Sequence, residues 1–379
     1  MEVKFIKGYT LADLEAQLGR CINHSFQPTL CIFFCSVGLD FNACRRMLEH
    51  HGLEVFGATS AGEIVNADIS EQSAVGMLLD MPPDSFQVIL RNAEDQGIFE
   101  CSRSVAQEVG RMYDEPIILA ACAGISNDGE AVVKGFQAEL GEEVRLFGGL
   151  AADDFHMENT YVFNATEVSN NGLAVLILNG NTFTVKGLAT GGWQAVGIEK
   201  LITRSEGNIV YTIDNEPALD VFKSYFGLPE DMDAKKDVVA NIGVQYPLHV
   251  YDKEGNAVIR APLIGNDDDG SLIFAGGVAQ GATVKFSVPP SFEILDRVFE
   301  ETQYLKRAIP DADILILFSC KARHIALGPL IYDEIQGLRK LWNVPMLGFF
   351  TYGEIGALRN RKCEFHNETC MLVAIKEKK

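Results

Sequence analysis

Two turns in the sequence place a glutamate at the same distance from a glycine. Glu63 follows Gly57 by six positions, and Glu354 follows Gly348 by the same six, in the pattern Gly-x-x-[Ser/Thr]-x-Gly-Glu-Ile. Glycines permit positive φ angles and close backbone approach, so such turns can set N–H groups and carboxylates along a pocket wall. The chemistry that this favours is the binding of an amino or cationic group.

A third stretch keeps the glycine and has an acidic pair. Asp154 lies six positions after Gly148, directly behind Asp153. If the three turns meet, their polar side chains would line one cleft; the alternative is that each turn serves only the chain reversal of its own unit. The ligand-binding residues predicted in these turns are Ser60, Glu63, Asp153, Asp154, Thr351, Tyr352 and Glu354.

A cysteine beside basic residues is the next candidate. Cys320 begins the stretch Cys-Lys-Ala-Arg-His, and basic neighbours can lower the pKa of a thiol. The functional options are a nucleophile paired with His324, a redox-sensing thiol or an anion-binding loop. The structural alternative is a strand end followed by a solvated basic loop. Arg323 is a candidate partner for a carboxylate of the ligand or of the protein. Trp193 is a further candidate for a ligand pocket, and the alternative is an ordinary position in a hydrophobic core.

The sequence lacks the motifs of common catalytic and metal sites. It contains no GxxxxGK[ST], HExxH or GxSxG motif, and no Cys/His spacing that fits structural zinc. None of the seven histidines stands out as a ligand. We therefore predict no metal site and no independent enzyme; a thiol-dependent enzyme using Cys320 remains an alternative.

Charge and cysteine content restrict partners and location. The formal net charge is −20, which disfavours nucleic acids and anionic membranes as partners. No apolar stretch approaches the roughly 18 residues that a membrane-spanning helix needs. An odd number of cysteines, nine, and the absence of a signal peptide predict reduced thiols in the cytoplasm.

Three copies of one pattern must position these turns. Each copy has an apolar run, a helical segment, the glycine turn and a second apolar run, over residues 30–79, 117–178 and 314–375. Runs without polar alternation suit strands that are covered on both faces. The pattern predicts a layered α/β protein of repeated β-α-β-β units. The predicted helices lie near Phe41–His51, Glu130–Leu140 and Leu330–Trp342.

A different segment separates the second and third copies. A helix is predicted between Pro217 and Gly227, strands are predicted over residues 238–288, and an amphipathic helix over Ser291–Ile309. The charged stretch Leu228–Asp237 is the best candidate for a hinge. We therefore predict two domains, residues 1–230 and residues 231–379, the second joining the strand-rich insertion to the third copy.

Several of these stretches resemble the FIST family. The N-terminal module of that family is similar to residues 56–63, 147–154 and 214–220. The C-terminal module is similar to residues Phe274–Gly281, Phe318–Arg323, Gly348–Gly356 and Phe365–Thr369. The resemblance covers nearly the whole chain in the right order. It implies a FIST N-terminal domain at 1–230 and a FIST C-terminal domain at 231–379.

The resemblance also implies a function. Family members are intracellular sensors of small ligands, for which amino acids have been proposed, and they act in signal transduction. This sequence has no kinase, cyclase or F-box segment, so a stand-alone sensor acting through a partner such as the histidine kinase of a two-component system is expected. Some family members bind haem and sense nitric oxide, which makes haem an alternative cofactor here, although no histidine can be assigned to it.

Overall fold

The computed structural model of the 379-residue chain describes residues 1–229, 231–238, 243–288 and 291–378. Within these residues the chain forms three α/β repeats, and a mainly β segment is inserted into the third. Repeat one contains β1 (Glu2–Gly8), α1 (Leu11–Cys21), β2 (Leu30–Ser36), α2 (Phe41–His50), β3 (Glu54–Ser60), β4 (Glu63–Val65), β5 (Asp68–Ser70) and β6 (Ala74–Asp80). Repeat two contains β7 (Phe86–Asn92), α3 (Gly97–Met112), β8 (Pro116–Cys122), α4 (Gly129–Leu140), β9 (Leu146–Leu150), β10 (Val162–Phe163), β11 (Val168–Ser169) and β12 (Gly172–Asn179).

Repeat three begins with β13 (Phe183–Thr190) and resumes only after the inserted segment. The inserted segment contains β14 (Ala195–Glu206), β15 (Ile209–Ile213), β16 (Glu216–Pro217), α5 (Ala218–Phe226), α6 (Ala234–Val238), β17 (Leu248–Tyr251), β18 (Ala257–Arg260), β19 (Pro262–Asn266), β20 (Ser271–Phe274) and β21 (Thr283–Ser287). The rest of repeat three contains α7 (Glu293–Ala308), β22 (Ile314–Cys320), α8 (Lys321–Leu327), α9 (Leu330–Trp342), β23 (Met346–Thr351), β24 (Glu354–Ala357), β25 (Cys363–His366) and β26 (Cys370–Glu377).

The three repeats share one strand arrangement. In each, the second and third strands are parallel, and the closing strand (β6, β12 or β26) lies antiparallel between the first and second strands. The prediction of an α/β protein with repeated units is confirmed. The repeat is larger than predicted, because each copy also starts with a strand and carries a short hairpin before the closing strand.

These short hairpins are exchanged between repeats. The hairpin of repeat one (β4–β5) pairs with β23 of repeat three, that of repeat two (β10–β11) with β3 of repeat one, and that of repeat three (β24–β25) with β9 of repeat two. Each sheet of a repeat therefore has six strands, two of them supplied by a neighbour. The cyclic exchange joins the three repeats into a ring.

Alternation along the strands builds two layers of core on each sheet. In β2, the side chains of Leu30, Ile32 and Phe34 enter a central core shared by all three sheets, whereas those of residues 31, 33 and 35 face the helices α1 and α2. Phe34 packs 4.2 Å from Phe349, ring centroid to ring centroid, across the centre. Burial on both faces explains why these strands lack polar alternation.

Helix bounds follow the capping residues. The carboxylate of Asp40 caps α2, and that of Asp128 caps α4, each accepting a backbone hydrogen bond at 2.9 Å. Gly227 ends α5 with a φ of 64°. The predicted helices in all three copies, after Pro217 and over residues 291–309 are confirmed within two residues at each end.

The inserted segment forms an eight-stranded antiparallel sheet with its own core around Phe222 of α5. Strands β17–β21 confirm the strand-rich prediction, while residues 239–242 of that stretch lie outside the described residues. The same is true of residue 230, the predicted last residue of the N-terminal domain. β13 pairs along its length with β26, so strands from both sides of that position share one sheet. The boundary itself stays a prediction.

Candidate functional site

The glutamate of the first turn holds a hairpin in place. Glu63 begins β4 and is fully buried. Its Oε1 accepts a hydrogen bond from the hydroxyl of Ser60, and its Oε2 accepts from Ser73 Oγ at 2.5 Å and from Ser73 N at 3.2 Å. Burial raises the pKa of Glu63 to about 7, although both hydroxyls oppose the shift. The carboxylate thus fastens the exchanged hairpin to the start of β6.

Repeat three contains the same arrangement. Glu354 begins β24, and its Oε1 and Oε2 accept from Thr351 Oγ1 at 2.5 Å and from Thr369 Oγ1 at 2.7 Å. Burial raises the pKa of Glu354 to about 8, against the opposing effect of the two threonines. The shared spacing therefore corresponds to a shared hydrogen-bond network inside repeats one and three.

The acidic pair of repeat two shapes a loop and joins the other repeats. Asp153 accepts hydrogen bonds from the backbone N–H groups of residues 157–159, at 2.7 to 3.0 Å. It also accepts one from the Tyr352 hydroxyl of repeat three, at 2.5 Å. Asp154 accepts from Ser36 Oγ of repeat one, also at 2.5 Å. This loop, residues 153–159, is called the Asp153 loop below.

The Asp153 loop has an unusual backbone. Asp154, Phe155 and Met157 have φ angles of 54°, 69° and 58°, in the left-handed region that non-glycine residues rarely adopt. Such conformations cost free energy and concentrate at ligand sites and switches. The side chains of Phe155 and Met157 are 38% and 51% exposed, and Phe155 packs edge-on against Tyr352. The loop therefore presents two exposed apolar side chains next to Tyr352.

Arg323 already has a carboxylate partner within the protein. It is fully buried, and its Nη2 lies 2.5 Å from Glu334 Oε2 of α9. Its Nη1 donates to the carbonyl oxygens of Gly191 at 2.6 Å and Glu368 at 3.2 Å. Trp193 Nε1 donates to the same Glu368 oxygen at 2.9 Å. Arg323 and Trp193 thus secure the backbone ahead of β26.

Cys320 lies at the end of β22 and is only 3% exposed. Burial raises the pKa of its thiol well above the usual range, and the neighbouring carboxylates of Glu354 and Glu368 add to the shift. His324 stacks on Phe350, and burial lowers its pKa to about 4. Both directions are opposite to those that an activated thiolate–imidazolium pair requires.

A cavity of about 1650 Å³ lies where the inserted sheet faces repeats two and three. Its wall is formed by the start of α4 with the preceding loop, by the Asp153 loop, by residues 361–367 and by strands of the inserted sheet. Cys320, Thr351 and Tyr352 line it. The other predicted ligand residues lie outside its wall: Ser60, Glu63, Asp153, Asp154, Trp193, Arg323 and Glu354.

Polar groups on or beside this wall lack partners. Asn367 lines the cavity, is 2% exposed, and its Oδ1 accepts no hydrogen bond from any described residue. The next residue, Glu368, is fully buried, and both of its carboxylate oxygens are likewise unpaired within the described chain. Burial raises the pKa of Glu368 well above its usual range, with Arg323 opposing the shift. A buried acceptor without a donor costs about 1 to 3 kcal/mol, which a bound molecule can recover.

The sequence did not predict the cavity residues Asn367, Arg260 and Glu130. Asn367 lies in the Phe365–Thr369 stretch that resembles the C-terminal FIST module, which was the one available signal for it. Arg260 and Glu130 lie in a strand and a helix whose patterns indicate only ordinary secondary structure. They come together through the packing of the inserted sheet on repeat two, which no local pattern encodes.

Comparisons with known proteins agree with this architecture. A family model described as the FIST N domain matches residues 29–216, and one described as the FIST C domain matches residues 218–357. Uncharacterized proteins of Mycobacterium bovis and Mycobacterium tuberculosis are each 24% identical over 222 residues. That match covers 57% of this chain and 56% of each relative, so it spans little more than half of their length.

Proposed function

The chain belongs to the FIST family, whose domains sense small ligands in signalling proteins, and we propose that its large cavity is where the ligand binds. The observation that carries the proposal is Asn367, an unpaired amide oxygen buried in the cavity wall. Ligand sites typically combine an apolar wall with a few polar groups that fix orientation. Here Phe155 and Met157 supply apolar surface, and the unpaired oxygen of Asn367 becomes an acceptor for an N–H or O–H donor of the ligand once its side chain turns toward the cavity.

The Asp153 loop supports a route from the cavity to the rest of the molecule. Its side chains Phe155 and Met157 line the cavity, whereas its hydrogen bonds reach Tyr352 of repeat three and Ser36 of repeat one. A ligand that packs on the loop would shift the balance between its strained and relaxed conformations. We propose that a signalling partner, such as a cytoplasmic histidine kinase, detects this change.

A thermal-shift screen of small metabolites, amino acids included, tests the proposal. Compounds that stabilise the wild-type protein should fail to stabilise Asn367→Leu, because the acceptor is gone. Leucine matches asparagine in size, and replacing an unpaired buried group by an apolar one should leave folding intact or stabilise it. Asn181→Leu, at an exposed position outside the cavity, should keep the full response. Equal responses of Asn367→Leu and wild type would place the ligand elsewhere.

Haem is a second candidate for the same cavity, because His156 and Met157 both lie on its wall. Imidazole and thioether groups are the axial ligands of many haem proteins, and bound haem would supply the iron that binds nitric oxide. An absorption spectrum through the Soret region, before and after addition of haem, tests this. A band that is lost in His156→Ala and kept in His24→Ala supports haem; a flat spectrum excludes it and leaves the small-ligand proposal.

The thiol-enzyme alternative has less support, since burial raises the pKa of the Cys320 thiol.

No helix in the described part of the chain is long and apolar enough to cross a membrane. We keep the cytoplasm as the proposed place of action, where the nine free thiols would stay reduced.

A further inference from the structure

We propose that Arg260 binds a carboxylate group of the ligand, and that the carboxylate of Glu130 occupies this position when no ligand is bound. The proposal rests on the cavity being the ligand site and adds the chemical class of the ligand. Arg260 ends β18 of the inserted sheet, lines the cavity and is 4% exposed. Glu130 lies in the first turn of α4 in repeat two and also lines the cavity.

The guanidinium of Arg260 is fixed on two of its three nitrogens. Nε donates to the carbonyl oxygen of Gly277 at 3.0 Å, and Nη1 donates to those of Phe365 at 3.0 Å and Ile259 at 3.1 Å. Nη2 points instead to Glu130 Oε2, at 3.9 Å. That distance allows Coulombic attraction but is too long for a hydrogen bond. One edge of a rigid, buried cation is therefore left without a close acceptor.

Three other cations on the cavity wall are better paired. Each has a carboxylate oxygen within 2.9 Å: Lys134 with Glu130 at 2.7 Å, Arg361 with Glu364 at 2.9 Å, and Lys362 with Glu142 at 2.5 Å. The remaining wall lysine, Lys235, is exposed to solvent. Burying a charge without a close counter-charge is costly, so the buried Arg260 gains more from an incoming anion than the three paired cations do. A carboxylate fits because it accepts hydrogen bonds from the edge of a guanidinium in a defined geometry.

The loop after β20 adds a backbone donor to this site. The N–H of Gly277 lies beside the carboxylate of Glu130 and contributes to the lowering of its pKa. A Cβ at Gly277 would lie 2.6 Å from Glu130 Oε2, and one at Gly276 would lie 2.8 Å from Arg260 Nε. The Gly-Gly pair is therefore what lets the loop approach both side chains. Arg260 Nη2 and the N–H of Gly277 both face the same position. In the absence of ligand, the carboxylate of Glu130 is the anion at that position.

Glu130 is suited to leave this position. Its side chain is 31% exposed, and Lys134 on the same helix remains as its partner after displacement. A ligand carboxylate that takes its place would remove the contact between α4 and the inserted sheet. The site also adjoins Asn367, because Arg260 holds the carbonyl of Phe365 two residues earlier. One small molecule can therefore meet both groups, and its binding loosens the inserted sheet from repeat two.

Saturation-transfer-difference NMR with sodium propionate and sodium succinate tests the proposal, with propionamide and succinamide as uncharged counterparts at constant ionic strength. Wild-type protein should bind the carboxylates in preference to the amides. Glu130→Gln removes the competing charge and should bind carboxylates about tenfold more tightly, which corresponds to about 1.4 kcal/mol. Glu139→Gln, on the same helix but outside the cavity, should match wild type. Arg260→Gln should lose the preference, with its fold checked by circular dichroism.

Three results would overturn the proposal. Carboxylates and amides could bind equally well, carboxylates could fail to bind both wild type and Glu130→Gln, or Glu130→Gln could bind them no more tightly than wild type. The metabolite screen with Asn367→Leu separates this failure from that of the proposed function. Binding of a ligand could instead depend on Asn367 but not change in Arg260→Gln and Glu130→Gln. That result would keep the cavity as the binding site and reject only the proposal that the ligand carries a carboxylate.

Discussion

At the scale of single residues, the repeated glycine–glutamate spacing encodes a structural device. Glu63 and Glu354 each bind two hydroxyl groups of their own repeat, and neither lines the cavity. Their spacing could be found in the sequence because the glycine, the glutamate and one hydroxyl partner lie within six positions, whereas the second partner, Ser73 or Thr369, follows 10 or 15 positions later. The sequence could not show on which side the side chain lies, since that depends on the neighbouring repeat that covers it.

In Glu63→Gln, the free energy of unfolding should fall less steeply with rising pH than in wild type. Because burial raises the folded-state pKa of Glu63 to about 7, the unfolded chain releases this proton at lower pH than the folded one does. The group therefore destabilises the fold as pH rises from about 4.5 to 7, by about 3 kcal/mol at 1.36 kcal/mol per pKa unit. Urea unfolding of wild type and variant between pH 4.5 and 8 measures the difference.

Glu71→Gln serves as the control of opposite sign. The hydrogen bond from Lys321 lowers the pKa of Glu71, so this group stabilises the fold above its unfolded-state pKa and loses that effect as pH falls. Its removal should take away a rise of stability with pH below about pH 4.5 and leave the slope above about pH 5.5 as in wild type, so the urea series is extended down to about pH 3.5. The effect should be smaller than that of Glu63 because the pair is exposed. A Glu63→Gln slope equal to that of wild type would contradict the account of the buried carboxylate.

Arg323→Ala should act through stability and not through ligand contact. It would leave Glu334 as an unpaired charge in the core, which typically costs 3 to 5 kcal/mol. The double variant Arg323→Met/Glu334→Leu removes both charges and should recover most of that loss. Urea unfolding measures both variants. Unchanged stability together with lost ligand binding would restore Arg323 as a ligand residue.

At the scale of elements, the exchanged hairpins are the part of the fold that the sequence concealed. The sequence predicts five of the helices, α2, α4, α5, α7 and α9, because each keeps an apolar face over two or more turns. It does not predict α1 or α3. The exchanged strands β4, β5, β10 and β11 have two or three residues each, which is too short for a hydrophobic period to appear. Their pairing partners lie in another repeat, and local patterns carry no information about such distant contacts.

Gly148→Ala tests the close approach within a sheet. A Cβ at Gly148 would lie 1.8 Å from the carbonyl oxygen of Ala120 in the parallel neighbour β8, so the strands would have to separate. We expect a loss of about 3 kcal/mol or more in unfolding free energy. Gly19→Ala in α1 is the matched control: its Cβ would meet nothing within 4 Å, and alanine favours helix by about 1 kcal/mol. Gly148→Ala as stable as wild type would contradict the packing described.

At the scale of the whole molecule, three repeats form a ring and the inserted sheet closes a cavity against two of them. The repeats have near-equal architecture, but the unpaired acceptors Asn367 and Glu368 lie in repeat three alone among the corresponding turns that the structure describes. The insertion breaks the threefold arrangement and creates the asymmetric site. The sequence predicted the repeats and the insertion, but not the cavity between the inserted sheet and repeats two and three.

Ligand binding should slow amide exchange in two separate segments. The Asp153 loop and residues 361–367 both line the cavity, and a bound molecule would order the first and shield the second. Hydrogen–deuterium exchange with mass spectrometry, with and without a stabilising compound from the screen, measures this. The turn at Glu63 should exchange at the same rate in both states, since it lies outside the cavity.

The most direct test of the central claim is a crystal structure with the first stabilising compound bound. We predict that the compound lies in the cavity between the inserted sheet and repeats two and three, in contact with Asn367 and with Phe155 of the Asp153 loop. A compound bound at the turns of Glu63 or Glu354, with the cavity empty, would contradict the account and return the ligand site to the glycine–glutamate turns.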